Sequence, residues 1–164
     1  MNCLKLLPVI VLSLLIMISC QEQTIQGQIS NELGINVRNE TVISHEDDHG
    51  GWHGDGGLTV VLRLTDESTV TQIKESWKPL PLTENLTILI YGKKSENICP
   101  RFGDDSGSSL FPAVENGYYY FIDRHSEAVD PSDDSNVLVR CSYNFTIAVF
   151  DADTNILYYT EQDT

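Results

Sequence analysis

The clearest strand pattern in the chain is Ser142-Tyr-Asn-Phe-Thr-Ile-Ala-Val-Phe-Asp151, which Ala152-Asp-Thr-Asn155 connects to Ile156-Leu-Tyr-Tyr-Thr-Glu161. Apolar side chains recur at every second position, at Phe145, Ile147 and Val149, and therefore share one face of a strand. Polar residues between two such segments are typical of the turn of a β-hairpin. Because a hairpin pairs its strands antiparallel, the sequence predicts a mainly antiparallel sheet.

Upstream of the hairpin, four segments have the composition of strands and one has the periodicity of a helix. The strand candidates are residues 41–44, 58–65, 86–91 and 118–123. Within residues 67–77, Val70, Ile73 and Trp77 recur at helical spacing, and the prolines that follow prevent the helix from continuing. One helix cannot cover both faces of a parallel sheet. We therefore predict an α+β fold, a mainly antiparallel sheet of about six strands with one helix packed on one face.

Residues 1–20 have the pattern of a secretory signal, with Lys5 before an apolar run over residues 6–18. That run is shorter than the about 20 residues that a membrane-spanning helix needs. It ends in Ile16-Met-Ile-Ser-Cys20, which resembles a bacterial lipobox, although Met17 stands where Leu is usual. The resemblance implies cleavage before Cys20 and lipidation of that cysteine, and the alternative is ordinary signal cleavage and secretion. We predict a signal peptide over residues 1–19, a polar tether over 20–32 and one α+β domain over 33–164.

Four segments of the remaining chain have a distinctive composition. They are His49-Gly-Gly-Trp-His-Gly-Asp-Gly56, Trp77-Lys-Pro-Leu-Pro-Leu82, Tyr118-Tyr-Tyr-Phe-Ile-Asp-Arg-His125 and Asn144-Phe-Thr-Ile-Ala-Val-Phe-Asp151. Together they resemble small lipoproteins of Gram-positive bacteria to which no activity is attached. The resemblance implies export and anchoring to the outer side of the cell membrane, and it implies no catalytic residue.

The charge balance is strongly acidic. The chain has 10 Lys and Arg against 24 Asp and Glu, for a formal net charge of -14. Binding to the phosphates of nucleic acid requires a basic face, so this balance argues against a nucleic-acid partner. The candidate partners that remain are the membrane, through the lipid anchor, and a basic protein or a cell-surface ligand.

Two cysteines, Cys99 and Cys141, lie beyond the predicted signal and the lipidated Cys20. Export would place them in an oxidising environment, where disulfides persist, so we predict that they pair. The alternative is two separate thiols, because the sequence alone does not bring their Cβ atoms together. They do not have the spacing of a redox motif or a zinc site.

The residues with the strongest metal-binding character are His45, His49, His53 and Asp55. Imidazole and carboxylate together form the ligand set of zinc and related ions. The three histidines would align on a helix, but the glycines between them make a helix unfavourable, and the HExxH motif is absent. The sequence therefore favours a solvated glycine-rich turn here, and the alternatives are a weak divalent-metal site or another binding role, with no other cofactor.

Two further groups of residues are candidates for binding or catalysis. Trp52, Tyr118 and Tyr120 could form an aromatic binding platform, or the tyrosines could simply pack in the sheet. His125, which follows Asp123 at a predicted strand end, could act as a general base. Because no Ser or Cys nucleophile motif accompanies it, the sequence assigns no catalytic residue.

These observations favour a surface-anchored bacterial lipoprotein that acts as a non-enzymatic binding or interaction domain. One alternative is a metal-dependent enzyme that uses the loop of His45, His49 and His53. Another is an acidic inhibitor or immunity-type protein that covers a basic surface, because the net negative charge would speed its encounter with such a partner.

Replacing Cys20 with Ser is expected to move the protein from the membrane fraction to the medium, since the variant lacks the thiol that would carry the lipid. Cell fractionation and the intact mass of the mature protein measure this. Unchanged membrane partitioning, together with no lipid mass on the wild type, would contradict the predicted anchor.

Overall fold

A computed structural model describes residues 24–50, 55–93, 95, 98, 109 and 111–164. The described part contains three helices and six strands. The helices are α1 (Ile25–Leu33), α2 (Glu67–Ser76) and α3 (Glu84–Tyr91). The strands are β1 (Thr41–Asp47), β2 (Gly56–Arg63), β3 (Lys78–Pro79), β4 (Gly117–Asp123), β5 (Asn144–Asp151) and β6 (Ile156–Asp163).

The six strands form one open sheet in the order β1-β2-β6-β5-β4-β3, and every neighbouring pair is antiparallel. The predicted hairpin is β5–β6, in which Asp151 lies opposite Ile156. Its turn includes Asn155 at a positive φ of 55°, a conformation that asparagine tolerates better than most residues. The predicted α+β fold with a mainly antiparallel sheet is therefore confirmed.

Both faces of the sheet are covered. One face packs against α1 and α2 and includes Leu58, Val60, Leu62, Ala148, Phe150, Leu157 and Tyr159. The other packs against α3 and includes Tyr119, Phe121, Phe145, Ile147 and Val149. Because β5 contributes to both clusters, its central residues are all buried, which makes this hairpin strand the centre of the core.

Helix α2 matches the predicted helix, and α1 replaces most of the predicted tether. Thr24 caps α1 by accepting the backbone N–H of Gly27, and Ile29 and Leu33 are buried against the sheet. The helix ends at Gly34, whose φ of 66° suits glycine. The folded domain therefore begins by residue 25, and the prediction of a tether up to residue 32 is wrong because an apolar stripe anchors this segment.

Helix α3 occupies the segment for which the sequence predicted a strand at residues 86–91. Thr83 caps it by accepting the backbone N–H of Leu86, and Leu86, Leu89 and Ile90 are buried at helical spacing. The apolar run is dense enough to suit a buried strand or a buried helix, and the cap and the available sheet face favour the helix. Three helices on two faces thus replace the single helix of the prediction. Among the described helices, none has the length and apolar content needed to cross a membrane.

The buried carboxylate of Glu40 fixes the start of α2. Only 5% of Glu40 is exposed. Its side chain accepts hydrogen bonds from the backbone N–H and the hydroxyl of Thr65 at 2.8 and 2.9 Å and from the backbone N–H of Asp66 at 3.0 Å. Asp66 in turn caps α2. Glu40 therefore joins the chain before β1 to the junction between β2 and α2.

Replacing Glu40 with Ala is expected to lower the free energy of unfolding by about 3 kcal/mol, because it removes three hydrogen bonds to a buried carboxylate, each worth about 1 kcal/mol. Urea denaturation at pH 7 measures this. The matched control is Glu46→Ala, at an exposed position on β1, which should change the free energy by less than about 0.5 kcal/mol. Equal effects of the two substitutions would contradict the structural role of Glu40.

Candidate functional site

Polar side chains gather at the end of the sheet where β1 and β6 finish. His49, Glu161 and Asp163 each offer one ligand atom there, and these atoms all lie within 4.8 Å of one another. We call these three residues the His49 site. Glu161 and Asp163 alternate along β6 with the same period as Tyr159, so they point to the face covered by α1.

Two features of the β1–β2 connection place His49 beside β6. The backbone N–H of Asp48 donates to the carbonyl of Gly57 at 3.0 Å, which continues the pairing beyond β1. Gly56 lies opposite Asp163 and against the backbone of His49. A Cβ at Gly56 would come within 2.5 Å of the His49 Cα, so only glycine permits this close approach.

Asp47 orients the imidazole of His49. Its Oδ1 accepts the backbone N–H of His49 at 3.0 Å and lies 2.8 Å from the ring Nδ1. The other ring nitrogen, Nε2, is 3.6 Å from Oδ2 of Asp163. A carboxylate that holds Nδ1 while Nε2 faces further carboxylates is the usual environment of a metal-binding histidine.

Side chains from three parts of the fold contact the carboxylates of the His49 site: Gln28 of α1, Tyr159 of β6 and Arg124 after β4. Gln28 donates to Oε1 of Glu161 at 3.0 Å, and the hydroxyl of Tyr159 donates to its Oε2 at 2.7 Å. Arg124 lies 3.0 Å from Oδ1 of Asp163 and 3.9 Å from Oε1 of Glu32. Each oxygen of the Glu161 carboxylate thus accepts one hydrogen bond, and Asp163 has a cationic partner in Arg124.

The electrostatics of the site favour a positive charge at His49. Burial opposes its protonation, but the hydrogen bond to Asp47 and the charges of nearby carboxylates outweigh burial, so the pKa of His49 is raised. The backbone and ring N–H groups of His49 lower the pKa of the Asp47 carboxyl. Burial, and then the hydrogen bond to Glu161, raise the pKa of Tyr159, which therefore stays a neutral donor. The site can accept a proton or a metal ion, because both place positive charge between the carboxylates.

Of the three predicted metal ligands that the structure describes, one belongs to the cluster. His49 belongs to the cluster, whereas His45 and Asp55 are exposed and are not members of it. His53 and Trp52 lie outside the described residues, as do Cys20 and Cys99. Cys141 is described and exposed, so its pairing with Cys99 stays a prediction.

Glu161 and Asp163 are the members of the site that sequence reasoning missed. They are far along the chain from His49, and only the pairing of β2 with β6 brings them to it. Their position at the end of a strand, two and four residues after Tyr159, was the available signal.

The predicted aromatic platform is partly accounted for by packing. Tyr118 and Tyr120 are half-buried against the core face that holds α1 and α2. The ring of Tyr120 lies 5.6 Å from that of Trp77, and its hydroxyl donates to the backbone oxygen of Glu32 at 3.4 Å. These contacts explain both tyrosines as part of the core.

His125 lies beside a serine hydroxyl, as a general base would, but the imidazole donates to that hydroxyl instead of accepting from it. Its Nε2 lies 2.8 Å from the hydroxyl of Ser142. Its Nδ1 accepts the backbone N–H of Glu127 at 3.2 Å, so in the neutral ring Nε2 carries the proton. A general base needs a free lone pair at Nε2 to take the serine proton. His125 therefore donates to Ser142 rather than activating it.

Comparison of the chain with protein-family models, with curated proteins and with solved structures finds no match. The interpretation of the site therefore depends on its geometry and chemistry.

The contribution of His49 to stability is expected to decrease as the pH rises. Its pKa is raised in the folded protein, so its stabilisation is present below the unfolded pKa of about 6.5 and is lost as the pH rises through the folded value. Urea denaturation of the wild type and His49→Gln between pH 5.5 and 9 measures the difference. It should reach about 1 kcal/mol at the lower pH, because the imidazole is partly exposed.

His45→Gln is the control, since the ring of His45 makes no hydrogen bond within the described part of the chain. Its effect should be smaller than that of His49→Gln at pH 5.5. A difference for His49→Gln that grows with pH would contradict the assignment.

Proposed function

We propose that this protein is a surface-anchored, non-enzymatic binding domain and that the His49 site binds a divalent metal ion of the zinc class. The observation that carries the proposal is the convergence of one imidazole and two carboxylates within 4.8 Å. One nitrogen and two carboxylate oxygens are a ligand set that Zn²⁺ accepts, with a fourth position left for water or a further ligand.

The geometry around the three ligands supports metal binding. Tetrahedral zinc with bonds of about 2.1 Å holds its ligand atoms about 3.4 Å apart. His49 Nε2 and Asp163 Oδ2 already lie 3.6 Å apart, and all three ligand atoms lie within 4.8 Å of one another. Asp47 fixes the ring of His49, and Gln28 and Tyr159 fix Glu161, which limits the side-chain entropy that binding would remove.

Two competitors limit the affinity. A metal ion must displace the proton that the raised pKa of His49 favours, and it must share Asp163 with Arg124. We therefore expect a dissociation constant in the micromolar range and an affinity that increases from pH 6 to pH 8.

Binding is favoured over catalysis by what surrounds the site. Asp47, the carboxylate next to the cluster, is engaged in orienting His49. His125 donates a hydrogen bond to the hydroxyl of Ser142, whereas a general base would accept one from its nucleophile. The metal-dependent enzyme that would use His45, His49 and His53 has less support, because His45 stands apart from the cluster.

The signal pattern and Cys20 support the proposed location of the domain at the membrane. Helix α1 begins at Ile25, so if Cys20 carries lipid only residues 21–24 separate the anchor from the folded domain. Four residues extend at most about 14 Å. The domain would therefore sit close to the membrane surface instead of standing off on a tether.

Isothermal titration of the purified mature protein with Zn²⁺ at pH 7.5 tests the proposal. His49→Ala and Asp163→Asn should each weaken binding at least about tenfold, because each removes one of three ligands. His45→Ala is the matched control and should bind as the wild type does. Unchanged affinity in His49→Ala would overturn the proposal, and loss of binding in His45→Ala would assign the ion to the His-rich loop instead.

A further inference from the structure

An open groove of about 680 Å³ lies at the end of the sheet opposite to the His49 site. It is bounded by the last residue of β2, by α2 and by the turn of the β5–β6 hairpin. Gly56 of β2 lies opposite Asp163 at the His49 site, whereas Arg63 lies opposite Ile156 beside the groove. Seven residue steps of about 3.3 Å place the two ends of β2 about 23 Å apart, so the groove is a separate feature.

The groove holds two cations that have no ion-pair partner. Arg63 and Lys74 both line it, and neither makes a hydrogen bond or ion pair from its side chain within the described part of the chain. The other described cations are engaged: Lys93, Arg124 and Arg140 in ion pairs, Arg38 with Asn31, and Lys78 with the carbonyl of Ser132.

Carboxylates outnumber cations in this chain by 24 to 10, so a carboxylate close to the groove would affect its charge. One carboxylate, Glu67, also lines the groove. It lies seven residues before Lys74 on α2, which separates the two by about 10.5 Å along the helix axis. No ion pair joins Glu67 to Lys74 or Arg63 among the described residues, and its carboxylate leaves the groove with one net positive charge.

The rest of the lining suits an organic ligand. Val70 lines the groove with a half-buried apolar surface, one helical turn before Lys74. The side-chain amide of Asn155 also lines the groove and is engaged with no other described residue. The groove thus combines two cations, an amide that can donate, and an apolar wall.

We infer that this groove, which we call the Arg63 groove, binds a small organic phosphate. The two positive charges of Arg63 and Lys74 exceed the single negative charge of Glu67, so the groove attracts a phosphate monoester, which carries a charge of about −1.5 to −2 at pH 7. The guanidinium can donate two parallel hydrogen bonds to phosphate oxygens, and the ammonium adds a point charge. The organic group of the ligand lies against Val70. The inference does not depend on the metal site, because it uses other residues at the other end of β2.

Titration of the ¹⁵N-labelled mature protein with phenyl phosphate, followed by NMR at constant ionic strength, tests the inference. The expected result is saturable shifts of the amide signals of Thr71 and Asn155, with inorganic phosphate binding more weakly and sodium chloride producing no saturation. Arg63→Gln and Lys74→Gln should each weaken binding of phenyl phosphate about fivefold, as for a partly exposed ion pair. Thermal unfolding checks that both variants fold.

Arg38→Gln is the matched control, because Arg38 is an exposed arginine whose side chain contacts Asn31 and does not line the groove. It should leave the affinity unchanged, as should His49→Ala, which removes the metal site. Equal affinity in the wild type and in folded Arg63→Gln and Lys74→Gln would overturn the inference. So would an Arg38→Gln effect as large as theirs, because it would show that overall charge and not the groove attracts phosphate.

Discussion

The pairing of β2 with β6 holds the two halves of the chain together. All of β2, from Gly56 to Arg63, lies opposite β6, from Asp163 to Ile156. A slip of one residue would turn the buried side chains of β2 to the other face of the sheet, so the register is strongly specified. The same register determines what meets at each end: His49 comes to Asp163 at one end, and Arg63 comes to the hairpin turn at the other.

Helix α1 shows how one element can fill the core and satisfy polar groups at once. Its apolar side chains, Ile29 and Leu33, are buried against the sheet. Its polar side chains reach the end of the sheet, where Gln28 donates to Glu161 and Glu32 accepts the hydroxyl of Thr146. A buried carboxylate without such donors would be strongly destabilising. Within the described residues, every buried side-chain polar atom has a partner.

The two ends of the sheet have opposite chemical character. Carboxylates and one imidazole surround the His49 site, whereas two unpaired cations line the Arg63 groove. β2 connects them, and each site combines residues of the sheet with residues of a connection, His49 after β1 at one end and Asn155 in the hairpin turn at the other. A domain of this kind can hold two ligands of opposite charge without a direct contact between them.

Local pattern was sufficient for the elements whose signals lie within a few residues. Period-two alternation predicted the β5–β6 hairpin, and helical spacing with flanking prolines predicted α2. Local pattern failed for α3, because a dense apolar run suits a buried strand and a buried helix equally, and for α1, because its sparse apolar stripe becomes informative only once a sheet face exists to bury it.

The residues of the candidate site also differ in whether the sequence alone could identify them. The ligand chemistry of His49 was visible in the sequence, because a histidine among acidic residues and glycines is a local signal. Its partners, Glu161 and Asp163, were not, since no local rule states which strand lies beside β2 or in which register. Strand pairing is settled by burial of both sheet faces at once, a property of the whole chain. The sequence by itself therefore determined the residue types and those strands and helices that have a clear local periodicity. Packing determined which of those residues come into contact.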